Sequence, residues 1–182
     1  MRRIAAALAL AVFAGIALAQ PQQPYAGLQE RPIKALSAEQ IADLKAGRGM
    51  GLALSAELNG YPGPVHVLEH ADALRLSPQQ RERTRTLYEA MKAEAVPLGL
   101  RLIEEETALD RAFAHRNITP QSLAERTATI GRTQAALRAA HLRFHLAQAE
   151  VLTEEQSRRY AELRGYADGR GHSGGHHPGM RH

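Results

Sequence analysis

The chain has 182 residues, no cysteine and few aromatics, enough for one domain with a modest core and no disulfide or thiolate chemistry. Its 23 basic residues against 19 acidic ones fall well short of the basic stripe with which nucleic-acid binders hold phosphates, so no nucleic acid is expected as a partner. The opening MRRIAAALALAVFAGIALA joins two arginines to an apolar run that is short for a bilayer span, and ends in Ala17-x-Ala19. It predicts a signal peptide over residues 1–19, cut between Ala19 and Gln20. The exported mature protein then carries 21 basic and 19 acidic residues.

Residues 20–35 are rich in Pro and Gln and read as an extended N-terminal segment. From residue 36 to 166 the composition favours helix, with Ala, Leu, Glu, Arg and Gln dominant and no window alternating with period two. Three similar pentapeptides, LSAEQ (36–40), LSPQQ (76–80) and LTEEQ (152–156), each place a hydroxyl residue three positions before a glutamine. That is the pattern of a capping box, so Ser37, Ser77 and Thr153 are predicted N-caps. Thr119 with Pro120 is a fourth predicted start. Helices are expected over Ala38–Ala46, Met50–Leu58, Pro64–Leu74, Pro78–His115, Pro120–Val151 and Glu154–Tyr166, with Pro97 kinking the fourth. In the fifth, Leu123, Ile130, Leu137, Phe144 and Val151 form one seam row, and Thr127, Gln134, His141 and Gln148 a polar second row. The fold class is therefore all-α. A long antiparallel helical hairpin buries little by itself, so shorter flanking helices or a second subunit must cover the rest, and a homodimer is expected. Residues 167–182 form a Gly- and His-rich tail with nothing to build a core, and read as disordered.

The nine histidines are the main candidates for chemistry. His66 and His70 are four apart, as are His141 and His145, a spacing that puts two imidazoles on one helix face at neighbouring heights and suits one borderline metal ion. His172, His176, His177 and His182 lie on the glycine-rich tail, where they form an adaptable metal-binding set. The competing reading is that these are surface or hydrogen-bonded histidines. His141 falls on the polar seam row, where Gln134 or Gln148 could satisfy it without a metal. HVLEH (66–70) matches the H-x-x-E-H string of inverted zinc proteases, but an all-helical chain of this length lacks their mixed α/β domain. No nucleophile pattern and no phosphate loop are present: GRGMG (47–51) follows no strand. The expectation is a protein that is not an enzyme.

An exported, cysteine-free helical chain with LSPQQ opening the long helices and LTEEQSRRYAELRGY closing them resembles the LTXXQ-motif family of periplasmic proteins, over about His66–Tyr166. That family comprises Spy/CpxP/ZraP-type chaperones and CnrX-like heavy-metal sensor and resistance proteins. The resemblance implies a four-helix hook that dimerises into a cradle, periplasmic localisation and a role in envelope stress or heavy-metal response. For the metal-sensing branch it implies His66 and His70 as a first ligand pair, Glu89 as a carboxylate ligand, and His141 as a later one. His145 stands where those sensors carry methionine, which favours a nitrogen-rich site for a divalent ion such as Zn, Ni, Cu or Co. The alternative branch is an ATP-independent chaperone with incidental histidines. Partners are then a second copy, and either unfolded clients or a membrane-bound sensor or regulator.

Overall fold

The computed structural model describes residues 24–166; the expected signal peptide and its cleavage site, and the tail histidines His172, His176, His177 and His182, lie outside them. The described chain is all-helical: α1 (Ala38–Ala46), α2 (Leu54–Glu57), α3 (Pro64–Glu69), α4 (Pro78–Ala114), α5 (Pro120–Ala149) and α6 (Glu154–Leu163). No helix among the described residues is long and apolar enough to cross a membrane.

All four predicted starts are closed capping boxes. Ser37, Ser77 and Thr153 accept from the amides of Gln40, Gln80 and Gln156, and each glutamine reaches back to the cap amide. At Thr119 the third-position partner is Ser122. Two of the pentapeptides also meet in space. The side-chain amides of Gln80 and Gln156 bond each other reciprocally at 2.8 and 3.1 Å, and they donate further to the backbone carbonyls of Val151 and Leu74. The glutamines therefore do two jobs, capping their own helices and tying the start of α4 to the start of α6.

The second and third helices are shorter than the sequence suggests. Met50–Ala53 is turn rather than helix, because Gly47, Met50 and Gly51 have φ of 66, 43 and 79°, and helical hydrogen bonding cannot pass through left-handed residues. The third helix gives way to turns after Glu69, and Arg75 takes a φ of 50° before Leu76. Pro97 lies within α4, which continues as one helix past it. Residues 24–36 are not extended. They form turns and a 3-10 turn at Leu28–Glu30, because Ile33 and Leu36 are drawn into the core and Lys34 binds Asp110 through both its amide and its ammonium.

Helices α4 and α5 lie side by side in opposite directions, as three side-chain rungs show: Thr84–Gln148, Glu94–Arg143 and Glu105–Thr133. Helices α1 and α3 pack on α4, and α2 and α3 on α5. One apolar cluster joins Ile33, Leu36 and Leu44 to Ala95, Leu102, Ile130 and Leu137. A second joins Val67, Ala71, Leu74 and Leu76 to Tyr160. The apolar seam row of α5 is buried from Ile130 onward, while Leu123 is largely exposed. Of the polar row, His141 and Gln148 are buried, but Thr127 and Gln134 face solvent; Thr133 and Ala140 take the buried places, as a 3.6-residue period drifts off a 3.5-residue stripe.

Candidate functional site: a histidine-walled cavity

The segment 47–63 folds over the C-terminal half of α5 and closes a cavity of about 440 Å³. His66 from α3, Tyr88 and Met91 from α4, and His141 and His145 from α5 share its wall. The covering backbone comes very close. A Cβ on Gly63 would sit 2.9–3.0 Å from the His145 ring, and one on Gly49 would touch the His141 ring at 3.6 Å. Gly63 has an ordinary negative φ, so glycine is needed there for the room it leaves the imidazole.

The three rings differ in their surroundings. Nδ1 of His145 lies 2.7 Å from the carbonyl oxygen of Tyr61. A carbonyl can only accept, so Nδ1 carries a proton, the tautomer that places the lone pair of an uncharged imidazole on Nε2. His66 Nδ1 is 2.9 Å from the Glu69 carboxylate, the same arrangement with a charged acceptor. His141 is buried, and its Nε2 has no hydrogen-bond partner among the described residues. Neither glutamine of its row satisfies it: Gln148 is committed to Thr84, and Gln134 faces solvent. Burial, and then the neighbouring His145, push the His141 pKa below the usual histidine value, so the ring stays neutral.

Behind His145 stands a buried carboxyl group that the sequence did not point to. Glu57 ends the short α2 and is 7% exposed. One of its oxygens accepts from the Gly63 amide at 3.1 Å and lies 3.6 Å from His145 Nδ1. The other accepts from the hydroxyls of Tyr160 and Tyr166, with Arg164 Nε 3.5 Å away. The Tyr160 hydroxyl is pushed far above the ordinary tyrosine pKa by burial, and further by donating to Glu57, which keeps it a donor. Glu57 thus links the cover over the histidines to α6. Its partner Tyr160 is 103 residues away, a separation at which no local pattern marks either residue.

The remaining predicted site residues are elsewhere. His70 does not line the cavity; its ring meets Tyr160 edge-on, with centroids 6.4 Å apart. Glu89 is exposed on α4 and does not line the cavity either. Among the described residues, no three His, Asp or Glu side chains converge closely enough to hold a metal ion as they stand. The nitrogen donors that could hold a metal there are those of His66 and His145, each with an acceptor at Nδ1, and of His141, whose Nε2 is buried without a partner among the described residues. A larger cleft of about 670 Å³ runs between residues 73–75 and α6, lined mostly by Arg and Glu side chains and without histidine. Compared with protein-family models, with curated proteins and with solved structures, the chain matches none.

Proposed function

We propose that this is a non-enzymatic periplasmic protein of envelope-stress or heavy-metal response, which binds a divalent transition-metal ion (Zn, Ni, Cu or Co) in the histidine-walled cavity. His66, His141 and His145 are the ligands of choice, and the tail histidines form a second, looser set. The observation that carries the reading is the orientation of the imidazoles. Two of the three have Nδ1–H held by an oxygen acceptor, the support metal-bound histidines use to fix tautomer and ring plane, and the third has a buried Nε2 without a partner. Binding would draw donors from α3 and α5 together. The test is calorimetry with Zn and Ni on the mature chain with its four tail histidines changed to Gln. One equivalent should bind, and His141→Gln with His145→Gln should abolish it. Unchanged binding in that double variant would sink the reading.

A second reading follows from a different observation. Leu100, Phe113, Leu123 and Leu146 are large apolar groups on α4 and α5 that the other described residues leave exposed. In an LTXXQ-type chaperone the two long helices form a hairpin whose antiparallel dimer presents such groups to unfolded clients. Suppression of client aggregation in metal-free buffer, unaffected by the histidine substitutions, would place this reading first. Sedimentation of the mature chain checks the dimer.

A further inference from the structure

We propose that the cavity is a soft-metal site that takes cuprous copper, with the thioether sulfurs of Met91 and Met50 joining the imidazoles of His141 and His145. This rests on the metal-binding reading above for the place of the site, and moves the preferred ion from a divalent one to Cu(I).

Three observations lead there. The described residues contain two methionines, Met50 and Met91, and both line this one cavity. Met91 is 6% exposed yet belongs to neither apolar cluster. The rungs on either side of it, Thr84–Gln148 and Glu94–Arg143, set the register of α4 against α5 and put Met91 level with His141–His145. Met50 sits between Gly49 and Gly51 with a φ of 43°, left-handed backbone that a side chain rarely adopts and that glycine would adopt freely. A non-glycine outlier kept at the edge of a cavity points to a use for its side chain. Finally, among the described residues no three His, Asp or Glu side chains converge to supply the fuller nitrogen and oxygen shell that harder ions take. A cuprous ion accepts lower coordination numbers, and thioether with imidazole is the donor set that selects it over harder ions.

The experiment is anaerobic competition for Cu(I) against a chromophoric chelator, in parallel with Zn(II) affinity, on the mature chain with its four tail histidines changed to Gln. Met91→Leu, nearly volume-conserving, should weaken Cu(I) binding by about tenfold or more and leave Zn(II) within about twofold. Met50→Leu should act in the same direction by a smaller factor. Equal Cu(I) affinity in the parent and Met91→Leu, with Zn(II) binding still lost in His141→Gln, would leave the metal reading standing and reduce the methionines to gap-filling. If no histidine variant changes either ion, the metal reading itself falls. A second readout does not depend on the variants folding: in methyl-labelled parent protein, the Met50 and Met91 methyl signals should shift with the first equivalent of Cu(I) while Met180 does not. Unmoved Met50 and Met91 signals would overturn the proposal.

Discussion

The same two helices lead different lives at their two ends. Where α4 begins and α5 finishes, Thr84, Met91, His141, Phe144, His145 and Gln148 are all buried, with the 47–63 segment and α3 packed over them. Towards the connection between them, residues 123–128 are exposed one after another and Phe113 and Leu123 face solvent. Both ends have similar helix-forming composition, so local propensity does not separate them. The cover does. It is supplied by short elements whose own hydrogen bonding is mostly turns, and only against that cover do polar side chains become costly to leave unpaired. Buried polar side chains are therefore concentrated at one end of the helix pair, and among the described residues the other end is the more exposed one.

Glu57→Ala should give the largest contrast. It strips an acceptor from two tyrosine hydroxyls, the Gly63 amide and Arg164, and should cost about 3 kcal/mol of unfolding free energy in urea titrations. Glu125→Ala at the bare end loses one exposed bond to Gln121 and should change stability by less than about 0.5 kcal/mol. If the two costs were alike, the covered end would not be the organised one.

Two helical glycines sharpen the contrast by sign. A Cβ at Gly99 of α4 would meet the Leu44 backbone oxygen of α1 at 2.4 Å, and backbone cannot swing aside. Gly99→Ala should therefore destabilise by about 2 kcal/mol as α1 is forced off α4. Gly131 of α5 has open space at its Cβ position, so Gly131→Ala should stabilise by about 0.5–1 kcal/mol through helix propensity alone. Thermal melts of both variants decide it, and a stabilised Gly99→Ala would break the packing claim.

pH acts in opposite directions on the two regions. His141 in the cavity wall has a pKa held below its unfolded value, so between the unfolded value of about 6.5 and the lower folded one the unfolded chain binds more protons. The contribution of His141 to stability is complete above pH 6.5 and declines as pH falls. Metal-free protein should lose urea resistance between pH 7.5 and 5.5, and His141→Gln should flatten that slope. Glu106, farther along α4, has its pKa raised by burial and then by the charge of Glu105. Here the folded state binds more protons, so the destabilisation is present at neutral pH and is relieved as pH falls through the raised value. Glu106→Gln should raise the melting temperature slightly at pH 7 and leave it unchanged near pH 4, the smallest of these effects.

Much of the fold was legible without coordinates. The four capping boxes and both long helices fall within two residues of where the pentapeptides and apolar periods put them, because a cap is a contact between residues three apart and a period is set by the helix itself. The site was legible in part. The i, i+4 histidine pairs single out α3 and α5, and three of those four histidines, His66, His141 and His145, share a cavity wall. The separation of His70 from that wall, and the exposure of Glu89, depend on how α3 is rotated against its neighbours, which spacing along one helix does not encode.

What the sequence determined by itself is an all-helical chain, where its helices begin, and a supply of imidazoles at helical spacing, since all three follow from residues within a few positions of one another. Only the tertiary structure decided that Gln80 pairs with Gln156, that a turn-rich segment roofs the histidines, that Glu57 ties this roof to Tyr160, and that two methionines far apart in the chain face the same cavity. The hydrogen bonds among these join residues 76 and 103 positions apart along the chain. They are selected by which apolar faces find cover, an outcome of burying Leu44, Val67, Leu102 and Tyr160 together with their neighbours rather than of any local preference.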